Sequence, residues 1–255
     1  MFMPVDQPIP GLPVVYEDDS LLVVDKPSGM LSQPGRQVSD SVLMRVLQAR
    51  PGAYGPVLVH RLDMDTSGLM LLAKNRSSHR NLQQQFEHRR IGKRYAARLV
   101  RTPAALGGRI HLPLRVDLDD RPRQIVCCDH GKWATTIWHR STLADPAMVW
   151  FIPLTGRTHQ LRVHAAHPLG LGIAIQGDRL YESVYVPGVR GVVASRQQAI
   201  ATVDTTMPPQ AGRLMLHAQY LAFDHPESGR RYQLQSRVPF IDLNQESAAQ
   251  TPELE

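Results

Sequence analysis

Short apolar runs bounded by turn residues recur through this chain without alternating regularly with helical patterns, and that ordering limits its fold more than any other feature. Near the start, "PVVYEDDSLLVVDKPSGM" places two strand-like runs around Glu17, Asp18 and Asp19 and closes on Pro27, Ser28 and Gly29, which reads as a hairpin. Segments 57–62, 69–73, 109–114, 124–128, 134–140, 148–154, 214–223 and 231–237 are further strand candidates, and "KRYAARLVR" alternates with Tyr95, Ala97 and Leu99 on one face. Helical spacing is confined to three places. "SDSVLMRVLQARPG" has Ser39 or Asp40 as a cap, "HRNLQQQFEHRRI" follows a cap at Ser77 or Ser78, and a third helix starts at Thr158 and stops before Pro168. Strands in runs, with few helices, predict an α+β chain built on a long mixed or antiparallel sheet flanked by helices.

The two cysteines, Cys127 and Cys128, are adjacent, which suits neither a disulfide framework nor a usual zinc spacing. With no signal-like start and no apolar run long enough to cross a membrane, the expected protein is soluble, untargeted and cytoplasmic, without a membrane partner. The net charge of +6 is unevenly spread, because between Arg76 and Arg101 eight Lys/Arg face the single acid Glu87. A concentrated basic stretch fits a phosphate-binding face, and it fits a solvated helix face equally well. Residues 1–13 read as an arm, 182–212 as a turn-rich insertion within a domain spanning 14–240, and 241–255 as a disordered acidic tail.

The stretch "VLVHRLDMDTSGLMLLAKN" carries a polar cluster between two apolar runs. Asp63 is the first candidate for chemistry, since a loop held between buried segments is fixed yet open to a ligand. Kept ionised by nearby arginine, it would attack an electrophilic carbon or stabilise a developing cation; an Asx turn explains it as well. Asp65, Thr66, Ser67 and Gly68 read as residues that shape the loop. "DTSG" differs from the aspartic protease signature, in which Gly follows Thr directly, and a second carboxylate two residues on is weak evidence for a glycosidase pair. In "TGRTHQLRVHAAH", Arg157 and Arg162 are placed to reach an anion, while His159, His164 and His167 fit no standard metal spacing. Tyr95 is either a core tyrosine or, beside Lys93 and Arg94, a platform for a nucleobase. No phosphate loop or dinucleotide fingerprint occurs, so no nucleotide cofactor is expected. Residues alone leave an anion-binding enzyme or a noncatalytic RNA-binding module.

"HRLDMDTSGLMLLAKN" resembles the signature block of the RluA family of pseudouridine synthases. The likeness continues in order through "EDDSLLVVDKPSGMLSQPG", "QQQFEHRRIGKRYAARL", "LPLRVDLDDRPRQIV", "TGRTHQLRVHAAH", "GDRLY" and "LMLHAQYLAF". It implies the pseudouridine synthase fold with a central catalytic cleft, no metal or organic cofactor, and RNA as partner, 23S ribosomal RNA and/or tRNA, with no obligate protein partner. It implies that Asp63 is the catalytic aspartate, Tyr95 the active-site tyrosine, Arg162 the arginine that pairs with the aspartate, and Arg61 the arginine that displaces the target base. Arg80, Arg89, Arg90, Lys93, Arg94 and Arg157 would then bind RNA. The sequence departs from the family pattern at "GIAI", where Gly-His-Pro-Ile is usual, and in the length of the 182–212 segment.

Overall fold

The computed structural model describes residues 8–55, 57–142, 145–182 and 212–241. Most of the expected 182–212 insertion and of the tail, and the first seven residues of the arm, lie outside them. In chain order the elements are β1 (Val14–Glu17), β2 (Leu21–Lys26), α1 (Val42–Ala49), β3 (Ser67–Ala73), α2 (Arg76–Glu87), β4 (Gly92–Arg98), β5 (Gly107–Val116), β6 (Gln124–Val126), β7 (Lys132–Arg140), β8 (Met148–Pro153), α3 (Gln160–Ala166), β9 (Leu216–Asp224) and β10 (Arg231–Gln235). They sort into two compact units, Met1–Tyr95 with His217–Val238 and Ala96–Leu216 with Pro239–Glu255. No described helix is long and apolar enough to cross a membrane.

In the first unit β1, β2 and β3 are antiparallel, β9 joins β3 in parallel through Ser67–His217 and Gly68–Ala218, and β10 pairs with β9. The unbroken apolar runs of β2 and β3 are explained by burial on both faces. Leu22, Val24, Met70 and Leu72 pack with Val42 and Val46 of α1, whereas Leu21, Val23, Leu69 and Leu71 pack with Leu82 of α2. The hairpin forms as read, with Asp18 Oδ1 accepting from the N–H groups of Ser20 and Leu21. Gly68 has φ 112°, and a Cβ there would lie 2.4 Å from the Ala218 carbonyl oxygen, so only glycine permits this strand pairing.

The structure corrects several local expectations. Segment 57–62 is not a strand. It touches β3 through the single bridge Leu58–Leu72, because the Leu71 N–H donates to His60 Nε2 rather than to a backbone carbonyl. The helix caps are Ser41, whose side chain accepts from Met44 N, and Asn75, whose side chain accepts from Ser78 N. At α3 the cap is His159 in left-handed conformation with no side-chain cap bond, not Thr158.

The second unit holds an antiparallel array in the order β8-β7-β5-β6. Helix α3 packs on the side of it that carries Thr136, whose hydroxyl meets Gln160 Nε2 at 2.9 Å and His164 Nδ1 at 2.9 Å.

Candidate active site

The Asp63 loop owes little to its own side chains. Its rigidity comes from segment 26–32, which supplies donors to successive loop carbonyls. Lys26 is wholly buried, and its ammonium donates to the carbonyls of Met64 (2.8 Å), Met30 (2.6 Å) and Pro27 (3.0 Å). Gly29 N donates to the same Met64 carbonyl, the Ser28 hydroxyl to Asp65 O at 2.6 Å, and the Ser32 hydroxyl to Leu62 O at 2.7 Å. A buried ammonium is tolerable where its three donors meet three acceptors. Within the loop, Thr66 N closes a turn onto Asp63 O. Ser67, expected to shape the loop, is bonded instead to His217 Nδ1 at 2.9 Å, and His217 Nε2 lies 2.6 Å from the Ser236 hydroxyl. The Thr66 hydroxyl finds no partner. The result is a half-buried carboxylate on a backbone that cannot drift.

Tyr95 belongs to the same unit, half-buried against the cluster of Leu22, Val42 and Met70. Burial, and then the nearby charge of Asp63, push its phenol well above the ordinary tyrosine range, so it is neutral at physiological pH. The electrostatic coupling places phenol and carboxylate in one neighbourhood.

His60 is structural. Burial and then Lys93 lower its pKa to about 3, so Nε2 stays an acceptor for Leu71. His164 is also buried and neutral, its pKa lowered to about 4 by burial first and then by His111 and His167. Both values lie below the ordinary 6.5, so the stability they confer is complete above about pH 6.5 and drains away as pH falls to about 4 for His164 and about 3 for His60. Each histidine should cost about 1.5 kcal/mol of unfolding free energy between pH 6.5 and 5. Urea titrations at those two pH values measure the loss, and a flat response would contradict the buried neutral assignment.

In the second unit Gln160 ties down the "TGRTHQ" segment. Its Oε1 accepts from the Thr155 hydroxyl and Arg157 N, while Nε2 donates to Thr135 O and Thr136 Oγ1. Arg162 lies on α3, only 3% exposed, and donates to Asp178 through Nε at 2.8 Å and Nη2 at 2.6 Å. Asp178 Oδ1 also accepts from Leu180 N and Tyr181 N, and the guanidinium lies over the Tyr181 ring at 5.3 Å. Tyr181 OH in turn accepts from Gln124 N and bonds His159. Among the described residues no group of three or more His, Cys, Asp or Glu gathers as a metal site.

The basic residues divide. Arg61, Arg76, Arg80, Arg89, Arg90, Arg101 and Arg157 are exposed. Lys93 lies 5.8 Å from the Phe86 ring with its pKa lowered by burial, and Arg94 donates twice to Gln219 Oε1. Arg98, part of the same charge run, is paired with Asp145. Sequence reasoning passed over Lys26, Ser28, Ser32, Asp178 and Gln160. All sit in the quoted blocks, but nothing in their spacing signals what they hold.

The model of the RNA pseudouridylate synthase family matches residues 20–167. The dual-specificity RNA pseudouridine synthase RluA of Escherichia coli K12 is 39% identical over 235 residues, covering 91% of this chain and 95% of that protein. Its namesake in Yersinia pestis is 40% identical, covering 85% and 94%. Among solved structures, human RNA pseudouridylate synthase domain containing 1 superposes with a TM-score of 0.66 at 25% identity, covering 97% of this chain and 99% of that one.

Proposed function

Since this chain belongs to the RNA pseudouridylate synthases and is an isomerase acting on RNA, we propose that it converts a loop uridine of 23S ribosomal RNA or tRNA to pseudouridine, with Asp63 as the catalytic carboxylate. The reaction breaks the bond between N1 and C1′, rotates the uracil, and joins C5 to C1′. C5 loses a proton and N1 gains one, so no redox partner or added group is required. The supporting observation is the half-buried carboxylate on a carbonyl-clamped loop beside a phenol that feels its charge. Clamping matters because a nucleophile or base fixed near its target avoids the entropy of being positioned in each turnover.

Asp63 assists cleavage either by adding to the ribose or by removing a ribose proton. Tyr95, neutral in the free enzyme, packs on the base. Its phenol ionises more readily late in the cycle, because once Asp63 is esterified or protonated that part of the upward push is gone. The family resemblance implies that Arg162 supports the aspartate; within its own unit the guanidinium is held by Asp178. The target base, hidden when stacked, is flipped out, with Arg61 filling its place. Exposed Arg76, Arg80, Arg89 and Arg90 grip the flanking phosphates.

Incubating the purified chain with 23S ribosomal RNA and with tRNA transcripts, and mapping pseudouridine in each, tests the substrate. A new pseudouridine at a discrete loop position in either RNA is expected. Unmodified transcripts of both kinds, with folded protein, would overturn the choice of substrate.

A further inference from the structure

The second unit carries a surface that the proposed chemistry does not use. Trp133, at the start of β7, is 55% exposed and stacks on the imidazole of His111 from β5, with ring centroids 4.4 Å apart and planes within 9°. His111 does not swing freely, since its Nδ1 lies 2.7 Å from the Thr135 hydroxyl. The two rings form a flat platform set on a sheet rather than on a loop. Beside it on the same face are exposed Arg109 and Ile137, which sit opposite each other in the ladder. Strand alternation puts this face on the side away from Thr136 and therefore away from α3.

Charge decides what such a face would take. The residues of β5, β7 and β8 that alternate onto this face include Arg109, Arg115, His111 and His139 and no Asp or Glu. A protein partner would meet an apolar, aromatic surface ringed by cations with no acid to pair its own basic groups. A single-stranded polynucleotide meets it fully, because bases stack on aromatic faces and phosphates lie beside lysine and arginine. We propose that the β5–β7 face holds a single-stranded RNA segment flanking the target stem-loop, with one base on Trp133 and a phosphate on Arg109. This rests on the reading of the chain as an enzyme acting on RNA, and it adds a second contact that would select RNAs with an unpaired neighbour.

The test uses the full chain and two labelled RNAs, a stem-loop with a uridine-rich loop and the same stem-loop with an oligouridine flank. The wild type should bind the flanked RNA at least about fivefold more tightly, the contribution of one stacked base. Trp133→Ala should bring that ratio to about one, Trp133→Phe should keep most of it, and Arg109→Glu should reduce it. A ratio unchanged in both Trp133→Ala and Arg109→Glu overturns the proposal. So does a Trp133→Ala protein that changes only its mass by light scattering, which would make the face a contact between copies. If Trp133→Ala does not fold, Arg109→Glu, on an exposed side chain, reads the same ratio. Failure of the wild type to form pseudouridine would count against the proposed function alone, since the affinity ratio is measured without turnover.

Discussion

Asp63→Asn should lower isomerisation by at least about 10⁴-fold, the loss seen when a group that carries the chemistry is removed, while RNA affinity stays within a few-fold. The loop backbone should not move, because it is held through the carbonyls of Leu62, Met64 and Asp65 and not through the Asp63 side chain. Asparagine keeps the size of aspartate but is neither an anion nor a base, so it can neither add to ribose nor take its proton. The variant also has a spectroscopic consequence. With the carboxylate charge gone, the Tyr95 phenol should titrate at lower pH than in the wild type while remaining above the ordinary range, because burial is the larger cause of its shift. Absorbance titration of the phenol reads this without RNA, and an unchanged Tyr95 titration would remove the coupling on which the site is built.

The second large effect belongs to Asp178. Replacing it by alanine leaves a guanidinium buried without its bidentate partner and should cost about 3–5 kcal/mol of unfolding free energy. Asp178→Asn, which keeps one acceptor oxygen, should fall between that variant and the wild type. Converting the pair to apolar residues, Arg162→Met with Asp178→Leu, should recover much of the lost stability, since two desolvated charges are removed together. The double variant should nevertheless remain inactive if Arg162 has a chemical part, which separates that part from simple support of the fold. Denaturant midpoints and turnover on the same samples provide both readings.

These two residues mark how far the sequence could be read. The all-apolar runs of β2 and β3 announce strands buried on both faces, and the spacing of Val42, Val46 and Leu82 announces the helices that cover them. Where a side chain replaces a backbone partner the pattern misleads. Segment 57–62 has the composition of a strand, yet His60 takes the hydrogen bond that would have made it one. Asp63 and Tyr95 were singled out because a family signature surrounds them. The clamp on the Asp63 loop was not, since it consists of main-chain carbonyls meeting Lys26, Ser28 and Ser32 across a long sequence separation, and main-chain acceptors leave no residue pattern. Asp178 was hidden for a related reason: nothing in "GDRLY" says which cation its carboxylate meets. Charge counting overstated the basic surface, because Arg94 and Arg98 are engaged by Gln219 and Asp145.

The most direct test follows the hydrogen on C5. An RNA substrate labelled with tritium at C5 of uridine should release that label to water when incubated with the folded protein, one equivalent for each pseudouridine formed, and should release none with Asp63→Asn. Tritium release that persists in the Asp63→Asn protein would contradict the assignment of this carboxylate to the reaction.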